Sequence, residues 1–368
     1  MTAKADWGDP MPQPTPSPVP LDLWRDLLAA MIAYRRAEPW LWMGDAAASV
    51  YVDENGQPWF ACVLGAGRQV YGLCLYRGAN GLRLFRELCE SGGEYDFSQL
   101  SLRQDAVTVW FGPKSDLDTV QIERYRALSY VPRRGERLAW PDVRSLRPGY
   151  FPWHPEESEV RVLLAALPAV VRLASLVRQH PGCYDEHDEC ELPTLPAHDA
   201  SVAIDTLEWR LWPTPQEPEP LAPAAFSDQD RSLLQAKGLP VASGVDVEID
   251  VIFMPEPVSD GERPYYPRCI LIFRGDNGVC CAMRLVKPAE DSGRIASEML
   301  LAVLAEIRFR PRRLLACRRD FAVQLTPLAR QLGTPLKLVP RLASSMEFQE
   351  GLAAHMTRGS MRSRSANG

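Results

Sequence analysis

A single short segment concentrates the side chains that could bind a metal ion. Residues 180–191 read HPGCYDEHDECE, so two histidines and two cysteines lie among five carboxylates. Cys183, His187 and Cys190 could ligate zinc, and the carboxylates could hold a harder cation. The spacing matches no established zinc pattern, and a solvated acidic loop accounts for the same composition. We therefore expect neither a bound metal nor a cofactor.

A second group of side chains could bind phosphate. Between Arg263 and Arg341 the chain has 15 Lys+Arg against 6 Asp+Glu. Guanidinium groups match phosphate geometry, so this region is a candidate basic patch for nucleic acid. Solvated arginines around strand ends are the alternative. The six arginines of the patch fall within twelve residues: Arg308, Arg310, Arg312, Arg313, Arg318 and Arg319.

Two aromatic motifs could line a groove. Trp40 and Trp42 belong to the motif PWLWM, and Tyr150 and Trp153 belong to the motif RPGYFPW. Tryptophan supplies a large contact area with a polar handle, so these four residues could bind a peptide or a small apolar ligand. In the alternative interpretation, the prolines and glycines of both motifs fix loops onto a core.

The familiar signatures of enzymes are missing from the sequence. The chain contains no GxSxG motif, no P-loop and no HExxH motif, so we predict no catalytic residues. The leading hypothesis is a non-enzymatic interaction or regulatory protein with a protein partner. A nucleic-acid-associated protein and a metal-dependent hydrolase are the alternatives.

Proline-rich segments divide the chain. Residues 10–20 have a proline at every second position, and residues 213–227 combine five prolines with two glutamates. Such segments favour extended, poorly packed backbone. We predict a disordered tail over 1–20, an N-terminal domain over 21–212, a linker over 213–227, a C-terminal domain over 228–355 and a disordered tail over 356–368.

Periodicity predicts an α+β fold, with a mainly antiparallel sheet packed with helices in each domain. Asn55-Gly56 and Asp276-Asn277-Gly278 are turn signals between short apolar strands. In the second domain the order hairpin–helix–strand–helix–strand loosely resembles a ribonuclease-H-like core. That fold requires carboxylates on its first strand for two-metal chemistry. Because Ile272-Phe273-Arg274 provides none, we expect a catalytically inactive version.

Composition predicts a cytoplasmic protein that does not enter a membrane. The chain has nine cysteines without a CxxC motif, and most lie in apolar runs, which suits reduced core residues. No run of 18 uncharged apolar residues occurs, and the N-terminus has no apolar signal-peptide core.

The two aromatic motifs, together with the hairpin Asp53-Glu54-Asn55-Gly56 and the strand that follows it, carry a family resemblance. The first domain resembles the N-terminal module of an uncharacterised bacterial family, and the second resembles the C-terminal module that accompanies it. The resemblance covers almost all of residues 21–355. It implies a bacterial source and a pair of tandem domains of unknown function, and it implies no mechanism.

Overall fold

The computed structural model describes residues 19–90, 102–136, 138–195, 207–216, 223, 225–261 and 263–366. The chain divides into two units. The first comprises Met1–Glu217 with Ser259–Tyr265, and the second comprises Pro218–Val258 with Tyr266–Gly368. The predicted N-terminal tail lies outside the described residues, except for positions 19 and 20. Within the predicted linker (213–227), residues 217–222 and 224 also lie outside them.

The first unit is built on a five-stranded antiparallel sheet whose strands pair in chain order. Its strands are β1 (Ala48–Val52), β2 (Pro58–Leu64), β3 (Gly72–Arg77), β4 (Ala106–Gly112) and β5 (Trp140–Leu146). Its helices are α1 (Leu21–Ala37), α2 (Gly78–Glu90), α3 (Thr119–Ala127) and α4 (Glu157–Gln179). A two-stranded ribbon joins β6 (Glu191–Pro193) to β7 (Trp209–Leu211).

Turn chemistry and one close approach position these strands. Gly56 has φ of +77° in the β1–β2 hairpin, and the Asp53 carboxylate accepts the N–H groups of Asn55 and Gln57. This confirms the predicted Asn-Gly turn. At Gly72, a Cβ atom would lie 2.0 Å from the carbonyl oxygen of Val109. Any side chain there would therefore separate β3 from β4.

Helices cover both faces of the first sheet. Leu27 of α1 and Leu163 of α4 are fully buried in a core on one face, and Phe60 and Phe85 belong to a smaller core under α2 on the other. By length and composition α4 could cross a membrane, but half of its apolar stretch is buried inside the fold. Its packing in the core accounts for that composition.

The second unit contains a mixed five-stranded sheet in the order β10-β9-β8-β11-β12. The β10–β9 and β9–β8 pairs are antiparallel, whereas β8–β11 and β11–β12 are parallel. The strands are β8 (Val241–Phe253), β9 (Arg268–Arg274), β10 (Cys280–Val286), β11 (Arg310–Ala316) and β12 (Leu336–Leu338). The helices are α5 (Arg231–Lys237), α6 (Ser292–Ile307), α7 (Arg319–Leu332) and α8 (Ala343–Ala366). The α+β class predicted for both domains is confirmed.

Alternation along β8 separates the two faces of the second sheet. Val247 and Ile249 are fully buried in the core that includes α5, α6 and α7, whereas Glu248 and Asp250 are buried on the opposite face. There Phe348 of α8 packs near Phe273, with ring centroids 6.1 Å apart. The backbone is helical through Ala366, so α8 continues into the segment from 356 for which the sequence predicts a disordered tail.

Candidate functional site

The structure does not bring the four predicted groove residues together. Trp40 is 6% exposed and packs in the core, whereas Trp42 is 43% exposed and lies 4.8 Å from the guanidinium of Arg178. Arg178 lies in the last turn of α4, while Tyr150 and Trp153 precede its first residue. A helix of 23 residues is about 34 Å long. Trp42 therefore cannot share one wall with Tyr150 and Trp153.

The predicted metal ligands have other neighbours. His187 stacks on Trp209 with ring centroids 3.7 Å apart, and Cys183 is buried in the core of the first unit. Cys190 Sγ lies 3.6 Å from the guanidinium of Arg86. Within the described part of the chain, no three His, Cys, Asp or Glu side chains form a group that could hold a metal ion. The geometry thus offers no support for the hydrolase hypothesis.

Asp246 pairs with two arginines of the predicted basic patch. Its carboxylate accepts hydrogen bonds from Arg312 at 3.2 Å and from Arg313 at 2.6 Å. Asp246 and Arg313 are register partners in the parallel β8–β11 ladder, so the sheet itself holds this contact. The hydrogen bonds from Arg313 and Arg312 lower the pKa of Asp246 to about 2. The carboxylate is therefore ionised at neutral pH and cancels part of the patch's charge.

The other four arginines of the patch differ in their partners. Arg318 pairs with Asp320 at 3.4 Å, and Arg310 donates to two backbone carbonyls. The side chains of Arg308 and Arg319 have no ion pair or hydrogen bond to any described residue. The patch therefore presents far fewer free guanidinium groups than its sequence indicates.

The expectation that the first strand lacks carboxylates is wrong. Ile272-Phe273-Arg274 lies on β9, which is the second strand of the sheet, whereas the first strand is β8. Residues two apart on a strand share a face, so Asp246, Glu248 and Asp250 line one side of β8. The alternation of acidic and apolar residues over 246–251 was the signal that could have revealed them.

The two buried acids of β8 hold the beginning of α8. Glu248 accepts the backbone N–H of Ser344 at 3.0 Å, and Asp250 accepts the hydroxyl of Ser345 at 2.5 Å. The thiol of Cys317 lies 3.5 Å from the other Asp250 oxygen. Carboxylates at a helix N-terminus are stabilised by its free N–H groups and dipole. These two acids therefore serve the packing of α8 in this arrangement.

In the first unit, a buried carboxylate belongs to the lining of a cavity of about 1170 Å³. Glu159 is 1% exposed, forms an ion pair with Arg77 and accepts the hydroxyl of Ser145 at 2.8 Å. Arg147 lies 3.6 Å from the same oxygen, and Arg263 donates to the Ser145 hydroxyl at 3.0 Å. Burial and the Arg147 cation lower the pKa of Arg263 to about 10. The negative charge of Glu159 and the positive charges of the arginines around it therefore offset one another within the fold.

His154 has the side-chain type most often used for proton transfer, but it is enclosed. It is 5% exposed, and its Nε2 atom lies 3.5 Å from the carboxylate of Asp118. Asp118 also accepts a hydrogen bond from Arg144 at 2.8 Å and caps α3. Burial lowers the pKa of His154 to about 4, and Asp118 opposes that shift. The imidazole is therefore neutral at physiological pH and out of reach of a substrate.

The free edge strand β10 is the feature that sequence reasoning missed. Val279, Met283 and Leu285 are 52%, 59% and 53% exposed, and Arg284 between the last two is exposed as well. Among the residues that the structure describes, β10 pairs only with β9, so its outer edge presents backbone groups without a partner in the described sheet. The residues CCAMRLV are equally typical of a buried strand, because composition does not reveal which strand lies at an edge.

Comparison with family models identifies both halves of the chain. Residues 24–194 match a Domain of unknown function (DUF7309), and residues 233–353 match a Domain of unknown function (DUF6930). No curated protein and no solved structure matches the chain. The predicted pair of tandem uncharacterised domains is confirmed.

Proposed function

Because this chain joins two domains of unknown function in tandem, we propose that it is a non-enzymatic interaction protein whose second domain receives an extended segment of a partner protein at β10. The observation that supports the proposal is the exposed apolar edge formed by Val279, Met283 and Leu285. Proteins normally protect sheet edges with short strands, charges or prolines. β12, at the opposite edge, has only three residues, whereas β10 has seven.

The chemistry of β10 favours an extended segment over a second folded domain. Main-chain hydrogen bonds to the open edge would supply affinity, and side chains alternating along the added strand would supply specificity. Met283 and Leu285 project from the same face of the sheet, opposite Leu271 and Cys269 of β9. Stable complexes between folded proteins bury about 800 Å² per partner. The seven residues of β10, with Val279 just before them, present three exposed apolar side chains. They fall well short of that area, which suits a peptide-like ligand.

The proposal includes a reducing, cytoplasmic setting. All nine cysteines are free thiols. Cys62 and Cys74 face each other in register on β2 and β3, and burial raises the pKa of both thiols. Thiols kept protonated in this way are unreactive small core residues, as expected for a protein that folds without disulfides.

Nucleic-acid binding is the second candidate function. Arg308 and Arg319 favour it, because their side chains have no ion pair or hydrogen bond to the part of the chain that the structure describes. The intramolecular partners of Arg310, Arg312, Arg313 and Arg318 weigh against it, since a guanidinium already bound to a carboxylate or to backbone carbonyls gains little by contacting phosphate.

The β10 proposal is tested with a peptide that copies residues 268–274, with serine in place of Cys269. β9 is the natural antiparallel partner of β10, so its sequence is compatible with that strand. We expect the peptide to slow hydrogen–deuterium exchange of the outward-facing amides over 280–286 in the full-length protein. The same peptide with N-methyl groups at alternate amides should give no protection, because it cannot form the ladder.

Variants separate edge binding from non-specific adhesion. Met283→Lys with Leu285→Lys should abolish the protection, whereas Leu234→Lys, at an exposed leucine of α5, should leave it unchanged. Equal protection in all three proteins, or none in the wild type at millimolar peptide, would contradict the proposal.

A further inference from the structure

A groove lies at the β12 edge of the second sheet, opposite β10, and it suits a different ligand. It has a volume of about 510 Å³ and lies between α7 and β12. Its floor is apolar, formed in part by Val323 and Ala329 of α7 and by Leu336 and Leu338 of β12. Leu338 is exposed. An apolar floor in a surface groove favours a ligand that buries apolar side chains there.

Two arginine side chains lie at the ends of this groove. Arg319 is the first residue of α7, Arg330 lies three helical turns later, and both are exposed and line the groove. Neither guanidinium has a hydrogen-bond or ion-pair partner among the described residues, and the groove's lining includes no Asp or Glu. In contrast, the neighbouring Arg318 is paired with Asp320. The groove therefore has uncompensated positive charge at both ends.

One backbone carbonyl of α7, at a residue that lines the groove, lacks its helical donor. Pro327 lies inside α7 and has no N–H to donate, so the carbonyl of Val323 lacks its helical hydrogen bond. Val323 is part of the groove.

The arrangement of the groove favours an extended chain. Eleven residues of helix separate Arg319 from Arg330 by about 16 Å. One side of the groove is β12, the edge strand of the sheet, and an extended chain is the form that lies along such an edge. An extended chain advances about 3.3 Å per residue, so carboxylates about five positions apart would reach both arginines.

We infer that the α7–β12 groove binds an extended, acidic protein segment with apolar residues between two carboxylates spaced about five positions apart. Charge complementarity with Arg319 and Arg330 and the apolar floor carry this inference. It does not depend on the β10 proposal, which concerns the opposite edge of the sheet. Nucleic acid is the competing ligand, but it would gain nothing from the apolar floor.

The probe is a fluorescein-labelled nine-residue peptide with glutamates at positions 2 and 7 and with leucine, valine and alanine between them. Its binding to the full-length protein is followed by fluorescence anisotropy. We expect Arg319→Ala and Arg330→Ala each to weaken binding about tenfold, the size of one lost charged hydrogen bond. Arg341→Ala, at an exposed arginine outside the groove, is the matched control and should bind as the wild type does.

Two further arms make the test specific. Arg330→Glu should no longer bind the first peptide. It should instead bind a peptide with lysine in place of the glutamate that contacts Arg330. A peptide of the same composition with adjacent glutamates should bind more weakly, because it cannot reach both arginines. Thermal melting of each variant confirms that it is folded.

Three results would overturn the inference: binding that is unchanged in Arg319→Ala and Arg330→Ala, equal affinity for both glutamate spacings, or tighter binding of a single-stranded or duplex oligonucleotide with the same arginine dependence. The last result would assign the groove to nucleic acid.

Discussion

Asp246 on β8 accepts hydrogen bonds from Arg313 on β11, its register partner 67 residues later in the chain. This contact holds an ion pair at the centre of a parallel ladder. It also decides how much of the basic patch is available to an external anion, because Arg312 shares the same carboxylate. The first two predictions follow from this pair.

Asp246 should make stability depend on pH only in strong acid. Its pKa is lowered to about 2 by hydrogen bonds from Arg313 and Arg312, so its contribution is complete above the ordinary Asp value of about 3.8. That contribution is lost as the pH falls through about 2. At pH 7, Asp246→Asn should lower the free energy of unfolding by about 1 kcal/mol, because solvent screens the pair. Urea denaturation at pH 7 and pH 2 measures both effects. A variant as stable as the wild type at pH 7 would contradict this.

The same substitution should increase retention on heparin. Asp246→Asn removes the negative charge that Arg312 and Arg313 now share, so the variant should elute at higher salt than the wild type. Asp22→Asn, which removes the partner of Arg25 on α1 of the first unit, controls for the change in net charge. If both variants elute together, the shift reports net charge alone and the patch has no special role.

His154 should lower the free energy of unfolding as the pH falls from 6.5 to 4. Burial lowers its pKa to about 4, and Arg124 and Arg144 add to that shift while Asp118 opposes it. The unfolded chain binds a proton below about pH 6.5, and the folded chain does so only near pH 4, so stability falls as the pH drops through this window. His154→Gln should reduce the loss between pH 7 and pH 4.5 by about 2 kcal/mol. Denaturation curves with parallel pH slopes for the two proteins would disprove it.

Removing the buried carboxylate of Glu159 should be costly. Glu159→Ala leaves Arg77 and Arg147 without the buried carboxylate that they share, and deletion of one partner of a buried pair typically costs about 3–5 kcal/mol. Glu159→Gln should cost less, because the amide oxygen can still accept the Ser145 hydroxyl. Glu157→Gln, which breaks the exposed pair with Arg161, should change stability by less than about 0.5 kcal/mol. Chemical denaturation of the three variants ranks them.

Local sequence patterns predicted the helices and strands. The candidate sites, in contrast, depend on contacts between residues that lie far apart in the sequence. Asn55-Gly56 fixes the β1–β2 turn through the backbone conformation that glycine permits, so it could be predicted from two residues. The pairing of Arg313 with Asp246 could not, because it depends on which strands become neighbours in the second sheet. The basic patch was therefore overestimated by counting charges along the chain.

The aromatic residues illustrate the same limit. Trp42 and Trp153 both lie next to α4, yet at opposite ends of it, and no local pattern indicates which end a loop approaches. The edge position of β10 is likewise a property of the whole sheet. Met283 and Leu285 could be predicted as strand residues, but their exposure depends on the order in which five strands assemble.

The acidic face of β8 has a consequence for how the second domain folds. A slip of one residue in strand pairing would exchange the two faces of β8 and turn Glu248 and Asp250 toward α6 and α7. Each unpaired carboxylate in that apolar core would cost several kcal/mol, while Val247 and Ile249 would lose their burial. Shifted pairings of this long central strand should therefore be too unstable to accumulate during folding. The acidic residues at alternate positions thus favour one pairing register among the many that a strand of 13 residues allows.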